Sequence, residues 1–176
     1  MSFATCVKAL LSEYDKRFGA WNKRWHVKIK MPKILVVYDS LTGNTARAAE
    51  LIAMGAKAVE GVNVDIRKVD ETSMKEIEEA EAVILGCPTH GFTASKKMKN
   101  FLNKPEVQEV LKGKTGAIFA SYSLTPRALH WLEKTLKGLS FNVVGKLGVR
   151  FSPKGEKENT FKNVGKQIAE QIKTAK

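Results

Sequence analysis

The sequence predicts an α/β protein built on a doubly wound, five-stranded parallel sheet. Two observations carry this reading. From Lys33 onward, five apolar runs alternate with about five helix-like stretches. Three of those runs, 33–38, 82–86 and 116–121, are apolar almost throughout, the pattern of strands buried on both faces. Strict strand–helix alternation puts helices on both sides of a parallel sheet, and right-handed crossovers leave a few doubly wound topologies. A chain of 176 residues has room for one such domain with a substantial core.

The elements follow in order. Lys33-Ile-Leu-Val-Val-Tyr38 reads as a fully buried strand. After a turn comes a helix to about Val59, with Ala46, Ala49, Leu51, Ile52 and Ala56 available to pack. Residues 62–69 alternate like a half-buried strand, and 72–80 suit a short helix. Ala82-Val-Ile-Leu-Gly86 is the second buried strand. Residues 96–111 read as helical, with a break before Pro105 because the residue preceding proline avoids helical dihedrals. Residues 116–121 form the third buried run, and 126–139 a helix with Pro126 in its first turn. Residues 142–151 are a weaker strand carrying Gly145 and Gly148, and 156–174 make a closing helix.

The first 30 residues differ in character. Phe3, Val7, Leu10, Tyr14, Phe18, Trp21 and Trp25 recur at steps of four and three, flanked by Lys8, Lys16, Arg17, Lys23 and Arg24. Residues 1–30 therefore read as a basic amphipathic extension of helical period, and 31–176 as the α/β domain. Such a pattern serves a membrane surface or a partner, or simply packs on a domain; membrane contact is not favoured. Because the alternating pattern is complete without them, residues before Met31 are expected to be dispensable for ligand binding.

Composition narrows the function classes. No apolar run approaches the roughly 18 residues of a membrane span, and no secretory signal is evident. Cys6 and Cys87 lie far apart without metal-ligand spacing, so a metal centre is not expected and a cytoplasmic setting is. The formal charge of +12 suits an acidic protein, nucleic acid or an anionic surface, or serves solubility. Nucleic acid is the weaker reading, since no base-stacking platform or recognition helix is evident.

In a doubly wound sheet, ligands bind beyond the carboxyl ends of the strands, at the switch point. Three loops meet there, following Tyr38, Gly86 and Ala120. The first reads Asp39-Ser40-Leu41-Thr42-Gly43-Asn44-Thr45 and joins a buried strand to a helix. Its backbone N–H groups and helix dipole attract an anion, Ser40, Thr42 and Thr45 supply hydroxyls, and Gly43 permits a tight turn. The same segment can be read as a polar turn whose Asn44 or Thr45 caps the helix. A nucleotide-hydrolase loop would need Gly-Lys-Ser/Thr, and a dinucleotide site G-x-G-x-x-G; neither occurs. A phosphate-accepting receiver would need an aspartate where Gly86-Cys87 stands, and a cysteine phosphatase an arginine soon after Cys87.

At these residues the chain resembles the flavodoxin family, from Lys33 to the C-terminus. Residues 40–45 match the family's S/T-x-T-G-x-T phosphate loop, and Gly86-Cys87-Pro88-Thr89-His90-Gly91-Phe92 is similar to its second flavin loop. Tyr38-Asp39-Ser40 and Ser121-Tyr122 resemble the flavodoxin modules of larger flavoproteins. The resemblance implies strand order 2-1-3-4-5 and FMN as cofactor, with its phosphate held by Ser40, Leu41, Thr42, Gly43, Asn44 and Thr45. It also implies that the isoalloxazine lies between the second and third loops, near Pro88, Thr89, His90, Gly91, Phe92, Ser121, Tyr122 and Ser123. Tyr122 is the first choice for stacking, then Phe92 and His90. The third loop departs from the family's glycine-rich form, reading Ser123-Leu124-Thr125-Pro126-Arg127, and Arg127 is expected at the flavin edge or in solvent. No catalytic residue is assigned, and Cys87 is read as a small loop residue.

An FMN-dependent electron carrier is therefore expected. The alternatives are an FMN-dependent quinone or small-molecule reductase using a reduced nicotinamide, and a flavin-free binding module. The expected partner is an acidic redox protein. Residues 1–30 carry seven Lys/Arg and two Asp/Glu, which leaves +7 for the α/β part. Lys96, Lys97, Lys99 and Arg127 then lie near the proposed flavin edge.

Overall fold

The computed structural model describes residues 31–174; the amphipathic stretch expected over 1–30 lies outside the described residues. The strands are β1 (Lys33–Tyr38), β2 (Asn63–Lys68), β3 (Ala82–His90), β4 (Thr93–Ala94), β5 (Thr115–Tyr122) and β6 (Asn142–Arg150). The helices are α1 (Asn44–Lys57), α2 (Met74–Glu79), α3 (Lys96–Leu102), α4 (Pro105–Leu111), α5 (Arg127–Gly138) and α6 (Glu156–Thr174). The main sheet runs β2-β1-β3-β5-β6, every neighbouring pair parallel. This is the flavodoxin-like order expected from sequence.

One feature goes beyond the expected pattern. The third strand continues past Gly86 to His90 and folds back as an antiparallel hairpin with the two-residue β4. Glycine and proline at 86 and 88 hid this extension, because both read as strand terminators. The break expected before Pro105 is present and complete: 96–111 forms two helices, separated at Asn103 and Lys104, with Pro105 opening the second.

Alternation along each buried strand feeds two cores. Ile34, Val36, Ile84 and Phe119 point to the face covered by α1 and α6, whose Ala49, Ile52, Phe161 and Ile168 pack there. Leu35, Val37, Val83, Leu85 and Ile118 point to the other face, against Ile77, Met98, Leu102, Leu111, Leu132 and Leu136. The α1–α6 crossing is close enough to need glycine on both helices. A Cβ at Gly55 would stand 1.8 Å from the Lys162 carbonyl oxygen, and one at Gly165 1.9 Å from that of Ile52.

At the sheet edge, Ser73 caps α2 in a reciprocal box with Glu76, which also takes a 2.6 Å bond from Arg67 Nε. The Ser73 backbone N–H, then its hydroxyl and Arg67, hold the Glu76 carboxyl down to about 2.

Candidate functional site

The site is built where β1, β3, β5 and β6 end. After Tyr38 the chain turns into α1 through Gly43, which stands at the N-cap with φ +84°. That left-handed conformation suits glycine, and a glycine cap has no side chain to occupy the helix N–H groups. Of the orphan donors, Ala46 N–H donates to Ser40 Oγ at 3.3 Å. Asn44 Nδ2 donates to Thr42 Oγ1 at 3.1 Å, leaving the exposed Thr42 hydroxyl proton to donate outward. No acidic residue lies in the first turn of α1, which leaves its positive end without a carboxylate of its own.

Thr45 faces inward. Its hydroxyl lies 2.8 Å from that of Ser121 on β5, and both residues are buried. Asp39 is buried too, its backbone N–H donating to the Gly86 carbonyl at 3.0 Å. These bonds fix the first loop to β3 and β5.

The second loop is the β3–β4 hairpin. Its tip holds Gly91 at φ +54° and Phe92 at φ +64°. Thr89 Oγ1 accepts the Ala128 N–H of α5 at 3.2 Å, tying the hairpin to the third loop. Strand β3 can pass close to β5 because position 86 is glycine: a Cβ there would stand 2.1 Å from the Phe119 ring. Cys87 is fully buried; burial, with the Asp39 carboxylate adding to it, pushes its thiol up to about 12 although Ser95 bonds to it. A thiol held protonated is the opposite of a nucleophile.

The third loop, Ser123 to Pro126, is anchored by Arg150 Nε, which donates to the Ser123 carbonyl at 2.9 Å. Pro126 serves as N-cap of α5, with Leu129 N–H donating to its carbonyl at 3.0 Å.

These loops enclose a cavity of about 270 Å³. Leu41, Thr42 and Asn44 line it from the first loop, Pro88, Thr89 and His90 from the second, and Ser121, Tyr122 and Ser123 from the third. Ser40, Gly43 and Thr45 do not line it; Ser40 and Thr45 hold the first loop through the bonds above. Three residues expected from the second and third loops lie elsewhere: Phe92 and Arg127 line a neighbouring groove, with Arg127 Cζ 5.9 Å from the Phe92 ring centre. Gly91 is at the hairpin tip beside it.

The cavity also has a wall that the sequence reading passed over. Phe151, immediately after β6, lines it at φ +61° and 54% exposed, and its N–H donates to the Tyr122 carbonyl at 2.8 Å. The available signal was its place at the end of the last strand, the one strand end near the switch point whose loop had been given no role. Gly148 supports the same wall, since a Cβ there would come within 3.3 Å of the Tyr122 ring.

Chemically, a helix N-terminus with a glycine at its N-cap and the exposed Thr42 hydroxyl sits beside a cavity flanked by Tyr122, Phe151 and His90. Such a site can hold a phosphate monoester and an adjoining planar ring. Among the described residues there is no cluster of His, Cys, Asp or Glu fit for a metal ion, and no helix long and apolar enough to cross a membrane.

Comparison with known proteins agrees. The family model described as Flavodoxin matches residues 36–173. A flavodoxin of Aquifex aeolicus is 38% identical over 93 residues, covering 52% of this chain and 50% of the relative. An NAD(P)H dehydrogenase (quinone) of Geotalea daltonii is 35% identical over 116 residues, 51% of this chain and 57% of that protein. The chain thus spans about half the length of the curated relatives it matches. A solved archaeal flavodoxin superposes with a TM-score of 0.73 at 27% identity, over 80% of this chain and 99% of its own.

Proposed function

The chain belongs to the flavodoxin family, and from that premise we propose that it carries electrons on a bound FMN. One observation supports this above the others: the uncapped N-terminus of α1 opens directly beside the cavity walled by Tyr122 and Phe151. The FMN phosphate fits the first loop, where Thr42 and the α1 N–H groups donate to it. Tyr122, Phe151 and Leu41 shelter the ring from water, while Thr89 and His90 present polar atoms to its edge. Bound FMN supplies one- and two-electron redox chemistry; the chain supplies binding, orientation and electrostatics. Its buried, unpaired Cys87 suits a reducing, cytoplasmic setting.

The absorption spectrum of the purified full chain, and a fluorescence titration with FMN and with riboflavin, test the reading. FMN should bind much more tightly than riboflavin, which lacks the phosphate. Equal affinities, or a protein that stays colourless with added FMN, overturn it. The similarity to a quinone dehydrogenase supports a second reading, an FMN-dependent reductase using a reduced nicotinamide. Steady-state oxidation of reduced nicotinamide with a quinone separates that enzyme from a carrier.

A further inference from the structure

Beside the cavity lies a wider groove of about 580 Å³, between the β3–β4 hairpin and α5. Its walls are Phe92, Pro126, Arg127, His130 and Trp131. It shares both its loops with the cavity, because Thr89 and His90 lead into the hairpin and Ser123 leads into Pro126. Whatever fills the groove is therefore held next to the flavin position.

Three properties of this face are unlike an ordinary solvated surface. First, it exposes large apolar side chains: Phe92 is 68% exposed and Leu124, in the same third loop, 74%. Phe92 is also held at φ +64°, a conformation costly for an aromatic residue and characteristic of functional positions. Second, Arg127, His130, Trp131 and Lys134 stand at i, i+3, i+4 and i+7, so one face of α5 gathers two cations, an imidazole and an indole. Third, the positive charge on this face is uncompensated. On another side of the helix, Glu133 pairs with Lys137 at 3.3 Å and with Lys146 at 2.6 Å. Arg127 and Lys134 form no ion pair among the described residues, and no carboxylate lines the groove.

Arginine with exposed aromatics is the composition of binding anchors, and unpaired cations at the rim select an anionic partner and speed its approach. We infer that the groove and the Arg127–Lys134 face of α5 dock an acidic redox protein. An apolar side chain of the partner enters between Phe92 and Trp131, and partner carboxylates meet Arg127 and Lys134. This rests on the electron-carrier reading above, but docking is measurable without the flavin.

The test titrates the full chain, with and without FMN, against an acidic [2Fe–2S] ferredoxin as probe. Ionic strength is varied from about 0.01 to 1 M, across which the Debye length falls from roughly 30 to 3 Å. Binding should weaken steeply with salt. At low salt, Lys134→Glu and Arg127→Glu should each weaken it about tenfold and flatten the salt dependence, and Lys134→Glu should leave FMN affinity unchanged. A basic cytochrome c should show the reverse preference, binding the variants better than the wild type. No binding at low salt, or binding indifferent to both substitutions, overturns the proposal. So does a self-association that Phe92→Ser abolishes, since a second copy would then own the groove. Ferredoxin docking by a chain that takes up no FMN sinks the cofactor reading alone; FMN uptake without docking sinks this inference alone.

Discussion

The hydroxyls of Thr45 and Ser121 lie 2.8 Å apart, buried between the start of α1 and the end of β5. This bond joins the loop before α1 to the strand that carries Tyr122 into the cavity wall. It also redistributes the roles expected from sequence. Three hydroxyls stand around Gly43, but that of Thr45 is engaged with Ser121, and Thr42 is the one facing outward.

Thr45→Val should therefore act mainly on stability and Thr42→Val on FMN affinity. Each of Thr45→Val and Ser121→Ala strands a buried hydroxyl and should cost about 1–3 kcal/mol. The double variant should cost less than the two singles together, since neither partner is then left alone. Thr42→Val should weaken FMN by about tenfold or more, the worth of a hydrogen bond to a charged group. Chemical denaturation and fluorescence titration of the same four proteins check both halves; an FMN loss larger for Thr45→Val than for Thr42→Val contradicts the assignment.

Gly43 is set by backbone conformation. A Cβ there would meet nothing within 4 Å, yet its φ is +84°. Gly43→Ala should cost about 1–2 kcal/mol, the penalty of the left-handed region for an L residue, and Gly43→Asn less. Gly43→Val should be worst, and it should weaken FMN further by crowding the backbone's approach to phosphate. Thermal unfolding and titration of the three variants give the order; Val tolerated as well as Asn would contradict it.

The fold was legible because buried parallel strands announce themselves. Runs such as Ile34 to Val37 and Ala82 to Leu85 have no polar face to confuse the period; β1 was bounded as expected and the start of β3 was too, while its end lies four residues beyond Gly86, at His90. The loop proposed to hold phosphate stood out as a dense polar motif between a buried strand and a helix. The hairpin at Thr93 and Ala94 was not, because a two-residue strand has no period. Phe151 escaped although the expected strand order already set β6 beside β5, because the loop after the last strand carries no polar or glycine-rich motif. The glycines at 55 and 165 carry no local signal either; only the meeting of two helices far apart in sequence explains them.

Cys87 gives an alkaline prediction. Burial raises its thiol from an ordinary 9.0 to about 12. Above pH 9 the unfolded chain's thiol loses its proton while the folded one keeps it, so stability present below that pH is lost as pH rises through about 12. This one group should remove up to about 1.4 kcal/mol per pH unit in that window. The denaturation midpoints of wild type and Cys87→Ala should therefore converge as pH rises. The native thiol should also resist alkylation at neutral pH and react on unfolding. A pH-independent gap between the two proteins, or ready labelling of the folded chain, would show that the thiol is not held as described.

Phe151 should display a trade between stability and binding. It is 54% exposed, so its ring adds little to the core, yet its backbone is held at φ +61°. Arg150 lies over its ring at 5.4 Å and also donates to the Ser123 carbonyl, so the phenyl is positioned by the same residue that fixes the third loop. An exposed aromatic in a strained conformation is retained for what it touches rather than for what it stabilises. Phe151→Gly relieves the strain and should leave the apo chain as stable as wild type, or more so by up to about 1 kcal/mol. The same change removes one wall of the cavity and should weaken FMN by several-fold, the scale of a lost stacking contact of about 0.5–1.5 kcal/mol. Phe151→Tyr keeps the ring and should keep FMN affinity, which separates the stacking role from a general loop effect. Titrations and denaturation of the two variants decide it: a Gly variant that is markedly unstable, or that binds FMN like the wild type, removes Phe151 from the site.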